Sequence, residues 1–258
     1  MAEKIIVGFS GGIDSLVAAS RLRDEGFDVR LVALQLHAGR PAADFRRRVA
    51  AAAAVLDLPL TIVDRAAVFQ RQVVAYLRDS YRRGETPNPC IRCNARIKFP
   101  GLWQAMTDQD AAALATGHYV RRFPGPGGCW LLGPGADREK DQSYFLQMVD
   151  PAMLAAARFP LAELAKAEVA ARAAALGFAL RGYRESQELC FVSGRSSTGP
   201  ARFSGGITEC IAIPLASGGD WELPTLNRCT CWQSSRQATG SWSASGGIST
   251  GASSRSGN

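Results

Sequence analysis

Lys4-Ile5-Ile6-Val7-Gly8-Phe9-Ser10-Gly11-Gly12-Ile13-Asp14-Ser15 decides the fold. Ile5 to Phe9 is an apolar strand. Leu16, Val17, Ala19 and Leu22 then recur at helical spacing, and Gly26 stops the helix. Between strand and helix lie Gly11 and Gly12, which let the backbone turn tightly and come close to a phosphate. The helix start offers free N–H groups and the positive end of its dipole to an anion. Ser10 and Ser15 can add hydroxyl donors. No GxxxxGK[ST] stretch occurs, so this is not a Walker loop. A bare Ser-Gly-Gly is also compatible with an ordinary strand-to-helix turn; Asp14 and Ser15 behind it favour a phosphate loop.

The same alternation continues outward. Val29 to Leu36 reads as a second strand, Asp44 to Leu56 as an Ala-rich helix, and Leu60 to Val63 as a third strand. A helix is expected from Ala67 to Arg83, a buried strand from Ala111 to Thr116, and a helix from Leu161 to Leu176. Strands separated by helices predict an α/β fold, a parallel sheet with helices on both faces.

Near residue 193 the character changes. Residues 193–258 hold 14 Ser against six in the preceding 192, with three of the five Trp and three of the seven Cys. Neither helical nor strand periodicity persists in this irregular Ser/Gly-rich tail. A frame-shifted reading of GC-rich DNA, a disordered tail and a poorly readable small domain would each give that mixture. The expected domains are therefore 1–192 and an unassigned 193–258. The start, MAEKIIVGFS, has no signal-peptide pattern, and no apolar run is long enough for a membrane span, so a cytoplasmic protein with no membrane partner is expected. Net charge is +7, which suits a polyanionic partner. Only four of the 30 basic residues are Lys, as a GC-rich genome would produce, so a Lys or Asn at a motif is informative.

Thr86-Pro87-Asn88-Pro89-Cys90-Ile91-Arg92-Cys93-Asn94 is the second constellation, leading to Arg96-Ile97-Lys98-Phe99. The prolines predict an extended entry and a helix beginning near Asn94. A thiol there, beside Arg92 and Arg96, is expected to have a lowered pKa. Cys90 and Cys93 also have the spacing of half a zinc site, but no second C-x₂-C or H-x₃₋₅-H completes it. The third element is Ser186-Gln187-Glu188-Leu189-Cys190-Phe191-Val192, where a cysteine between Leu and Phe also reads as a packed core thiol. His118 reads as structural.

The loop SGGIDS resembles that of the N-type ATP pyrophosphatases, which cleave ATP between its α and β phosphates and adenylate a substrate. Behind it come TPNPCIRCNARIKF, ATGHY (Ala115–Tyr119), KDQSYFL (Lys140–Leu146) and SQELCFV, in that order. Together these motifs resemble the tRNA-specific 2-thiouridylases of the MnmA type, over residues 4 to about 192. The resemblance implies ATP-dependent 2-thiolation of the tRNA wobble uridine. ATP phosphates would lie on Gly8, Phe9, Ser10, Gly11, Gly12, Ile13, Asp14 and Ser15, with Asp14 catalytic and able to hold Mg2+ on the released pyrophosphate. Leu34 and Gly117 would line the adenosine site. Cys190 would carry a persulfide delivered by a sulfur-relay donor protein, and Cys93 would be its catalytic partner, the two ending as a disulfide. Asn88, Pro89 and Cys90 would contact the target base, and Lys140, Asp141 and Gln142 the tRNA. No resident metal is implied.

The chain departs from the family's pattern in three places. Cys90 stands where some members have Asp. LQLHAG is not followed by the expected Trp. The family's two following β-rich domains, with their YTxGQRxGL-type motif, do not appear in 193–258. Two other classes compete: an ATP-dependent ligase or amidotransferase of the same superfamily, which would need neither cysteine, and a non-catalytic ATP- or tRNA-binding remnant.

Overall fold

The computed structural model describes residues 2–178 and the backbone of two short strands, Val192–Ser193 and Arg202–Phe203. Five parallel strands form its centre: β1 (Lys4–Gly8), β2 (Asp28–Gln35), β3 (Leu60–Asp64), β4 (Ala113–Ala115) and β7 (Ala157–Arg158). Their order is β3-β2-β1-β4-β7. Successive strands are added to one side of β1 and then, from β4, to the other. The loops leaving β1 and β4 therefore diverge and open a crevice at the carboxyl edge of the sheet, the usual ligand position in such folds.

Alternate side chains of each strand face opposite layers. Ile5, Val7, Leu31 and Ala33 pack under α1 (Ile13–Asp24) and α2 (Arg40–Leu56), against Leu16, Leu22, Val49 and Leu56. Ile6, Val32 and Leu114 pack against Phe99 and Leu102 of α6 (Phe99–Asp108) on the other face. Ile5, Ile6, Leu16 and Phe99 are fully buried, each such side chain contributing about 1.5–3 kcal/mol. The expected parallel sheet covered on both faces is thus present.

Element boundaries differ from the sequence reading where caps decide them. α2 begins at Arg40 rather than Asp44, with Pro41 at its first turn, where a missing N–H costs nothing. The helix expected from Ala67 to Arg83 is α3 (Ala66–Phe69), a π turn over Gln70–Val74, and α4 (Ala75–Arg82). The helix expected from Leu161 is α8 (Lys166–Ala175); the carboxylates of Asp137 and Glu168 accept from the N–H groups of Lys166 and Ala165, at 2.9 and 2.8 Å, and start it there. α5 (Pro89–Cys93) begins well before Asn94, because Asn88 Oδ1 accepts from Cys90 N and Ile91 N at 3.0 and 3.3 Å. Asn88 is thus the helix cap, its own backbone still extended as the prolines predict, and only the helix start is earlier than expected.

A hairpin of β5 (Val120–Pro124) and β6 (Trp130–Pro134) leaves the sheet after β4. Arg122 ties it down: its guanidinium stacks over Trp130 and donates to the Leu154 carbonyl at the end of α7 (Pro151–Ala156). No helix among the described residues is long and apolar enough to cross a membrane.

Candidate functional site

The loop between β1 and α1 is held by its own hydroxyls. Ser15 Oγ donates to Gly12 O at 2.9 Å and accepts from Ser10 N at 3.2 Å, while Gly12 N donates to Ser10 Oγ at 3.3 Å. Gly11 has φ +72, and a Cβ on it would sit 3.2 Å from Val49 Cα, so both conformation and space demand glycine. At Gly8 a side chain would meet Leu102 Cδ1 at 2.8 Å, so Leu102 would have to shift to admit one. Phe9 and Ile13 are buried and anchor the loop to the core. What remains for a ligand is backbone: the first N–H groups of α1 have no carbonyl one turn earlier within the helix.

The loop after β4 closes the other side of the crevice. A Cβ on Gly117 would lie 2.9 Å from the Asp14 carbonyl carbon and 3.1 Å from Ser15 N, so Gly117 allows that loop to touch the start of α1. Tyr119, buried two residues further along the same loop, donates its hydroxyl to Asp14 Oδ1 at 2.8 Å. Lys166, the first residue of α8, donates to both Asp14 oxygens at 2.7 and 2.9 Å. The Lys166 side chain is 17% exposed and that of Asp14 31%, so the pair is only partly shielded from water. Asp14 thus has both oxygens engaged by an ammonium and one by a phenol, and no group of three His, Cys, Asp or Glu capable of holding a metal occurs among the described residues. The donor set does not fit a protein-held magnesium.

His118 bonds Thr116 Oγ1 through Nδ1 at 2.9 Å and stacks on Phe99. Burial, and then the charge of Lys98, push its pKa down to about 3, which keeps it neutral. This agrees with a structural role.

The thiol helix lies beside this crevice. α5 runs into a π turn, Asn94–Lys98, and then into α6. Asn94 Nδ2 donates to the Phe145 carbonyl at 3.1 Å, tying the thiol helix to the segment that follows Lys140–Gln142. In that segment Asp141 accepts from both Ser143 N and Ser143 Oγ, and Gln142 Oε1 accepts from Tyr119 N at 3.2 Å. Asn88 through Cys93, Lys140 through Gln142, and Asp14 are therefore joined by one chain of contacts running through Gln142 and Tyr119.

Cys90 is partly buried and is a free thiol. Its pKa is raised, by burial first, with Lys98 pulling weakly the other way. The expected lowered thiol pKa is therefore overturned at Cys90, because desolvation outweighs the nearby cations. Cys93 is 5% exposed, packed with Phe69, Val74, Leu77 and Ile97. Leu34 is partly buried near the end of β2 and lies against Gly101 of α6, whose Cβ would meet it at 3.1 Å. Cys190 and the tail from 193 fall outside the described residues, apart from the backbone of the two short strands.

Sequence reading missed Lys166 and Tyr119. Lys166 carried a signal, as one of only four lysines in an arginine-rich chain. Tyr119 lay inside ATGHY, but nothing local ties its hydroxyl to a residue 105 positions earlier.

A glycine turn on the first strand, at the switch point of a parallel sheet, defines a doubly wound α/β domain built to receive a ligand at its carboxyl edge. The family described as the tRNA methyl transferase HUP domain matches residues 3–194, and the chain belongs to that family. The tRNA-specific 2-thiouridylase MnmA of Rhodospirillum centenum is 42% identical over 202 residues, 73% of this chain and 50% of that protein. The enzyme of the same name from Desulfosudis oleivorans is 44% identical over 190 residues, 74% of this chain and 52% of its own length. The chain spans about half the length of the curated relatives it matches.

Proposed function

We propose that this chain activates a tRNA uridine with ATP and replaces its C2 oxygen by sulfur, a tRNA-uridine 2-sulfurtransferase of the cytoplasm. The observation that supports it most is the continuity of the Asp14–Tyr119–Gln142 contacts with the thiol helix. A nucleotide on the loop and a base beside Cys90 would share one crevice.

The uridine C2 oxygen is a poor leaving group. Its attack on the α-phosphorus expels pyrophosphate and makes AMP the group that departs next. The loop N–H groups and the helix dipole would hold the phosphates, and Lys166, held beside the loop by Asp14, would offset developing charge. Magnesium would come with ATP on the phosphates, because Asp14 is occupied. A persulfide on Cys190, loaded by a sulfur-relay protein, would attack C2 and displace AMP. Cys93 would then attack Cys190, leaving a disulfide between them and the sulfur on the base. Asn88, Pro89 and Cys90 would border a base splayed out of the anticodon stack, and Lys140 to Gln142 would face the tRNA.

The test pairs two assays on the purified chain: ATP/pyrophosphate exchange with unmodified tRNA, and 2-thiouridine formation with a persulfide donor. Cys93→Ala and Cys190→Ala should keep exchange and lose product, whereas Asp14→Ala should lose both. Full thiolation by either cysteine variant would end the two-thiol scheme. Product formed by a ligation that neither cysteine affects would move the chain to the ligase class.

A further inference from the structure

Three consecutive arginines lie on α2, and they differ in what they touch. Arg46 donates to Gln35 Oε1 at 2.5 Å and Arg47 to Asp44 at 2.9 Å. Arg48 meets neither a carboxylate nor a hydrogen-bond acceptor among the described residues; its guanidinium lies over the Phe45 ring, 5.5 Å from the centroid. The residue is exposed.

Its position is set by the phosphate loop. A Cβ on Gly11 would sit 3.4 Å from Arg48 Cγ, so the arginine stem runs directly beside that glycine. Helical side chains lean toward the helix N-terminus, and Phe45, beneath the guanidinium, lies one turn in that direction. α2 follows β2 as α1 follows β1, and the two strands are parallel, so both helices begin at the same edge of the sheet. The guanidinium is therefore carried toward the open carboxyl edge, where a ligand on the loop would lie. It is not directed back along the helix toward Leu56. A planar guanidinium can hold two phosphate oxygens at once, and the Phe45 ring already limits its freedom.

We propose that Arg48 is the pyrophosphate-end contact of the loop. It donates to the β- and γ-phosphates of a nucleoside triphosphate and to pyrophosphate after cleavage. This rests on the reading of the loop as a nucleotide site. It adds a direction: the phosphate tail lies on the α2 side and the α-phosphate on the Gly117 side.

Isothermal titration of the full chain with ATP, inorganic pyrophosphate and AMP tests it, using Arg48→Met, which keeps the stem against Gly11, and Arg48→Glu. Thermal melts establish that both variants are folded. Expected is ~10-fold weaker binding of ATP and pyrophosphate to Arg48→Met, with a further loss in Arg48→Glu. AMP, which lacks the two outer phosphates, should bind all three proteins alike. Unchanged ATP affinity in both variants, with ATP bound normally by the parent, overturns the role of Arg48 and leaves the nucleotide site standing. Equal weakening of AMP and ATP also overturns it, by placing Arg48 elsewhere on the ligand. A parent chain that binds neither ATP nor pyrophosphate removes the loop reading and this proposal together.

Discussion

The two thiols of α5, three residues apart, sit in different surroundings, and their chemistry should differ accordingly. Cys90 is partly open but desolvated enough that its pKa rises above the ordinary cysteine value. Cys93 is 5% exposed in an apolar cluster. Because the thiolate is the reactive form, Cys90 should alkylate slowly at neutral pH. Its rate should climb to a plateau only at more alkaline pH than for a free cysteine. Lys98→Met, which removes the charge favouring the thiolate, should move that midpoint higher still. Cys93 should label later than Cys90 at every pH. Mass-spectrometric counting of iodoacetamide adducts on each peptide checks this, and rapid labelling of Cys93 near pH 7 would contradict the burial. Sequence reading set both thiols beside cations but began the helix near Asn94, after them, whereas α5 already contains both. It could not weigh burial against charge, since nothing local shows that Phe69 and Leu77 come to cover this helix.

At the scale of elements, the crevice depends on the close approach of two loops. Gly117 touches the backbone between Asp14 and Ser15, and a methyl group there would stand 2.9 Å from a carbonyl carbon. Backbone cannot rotate away as a side chain tip can, so Gly117→Ala must push the β4 loop off the start of α1. That shift would also strain the Tyr119–Asp14 bond. Expected are a loss of about 1–3 kcal/mol of stability, read by denaturant unfolding, and a clear loss of ATP affinity. An unchanged variant on both counts would mean the two loops are not in contact. Strands β1 to β4 and helix α1 were legible because their apolar residues repeat at fixed spacing. The hairpin of β5 and β6 was not anticipated, although Pro124-Gly125-Pro126-Gly127-Gly128 is a turn signal. Its strands hold two arginines and two prolines rather than an alternating apolar face, and Arg122 secures it through Trp130 and α7. Such a contact between distant segments leaves no local trace. The start of α8 was misplaced for the same reason, because Asp137, 29 residues earlier, caps it.

For the whole molecule, the distribution of cations limits how RNA can be held. Net charge is +7, yet much of the positive charge in the described residues is already engaged. Arg30 is paired with Asp28, Arg47 with Asp44, Arg78 with Asp79, Arg83 with Glu85, Arg121 with Glu163 and Arg158 with Glu3. Arg122 is committed to carbonyls of α7, and Arg92 to the Gln72 carbonyl and the Tyr76 ring. A surface pair can exchange its carboxylate for a phosphate, but that exchange gains little, since one charge contact replaces another. Near the proposed base site the cations outside such pairs include Arg96 and Lys98, which belong to the same π turn. Each phosphate neutralised contributes about 0.7 to 0.9 to the slope of log affinity against log salt. A tRNA resting on this surface should therefore show a shallow slope of about 2 to 4, with weak affinity at physiological salt. Arg96→Ala with Lys98→Met should lower it by about 1 to 2. Filter binding of unmodified tRNA across a salt series measures both. A slope near ten in the parent chain would require many more phosphate contacts than this surface offers, and would locate the main RNA-binding face away from the crevice that holds Cys90.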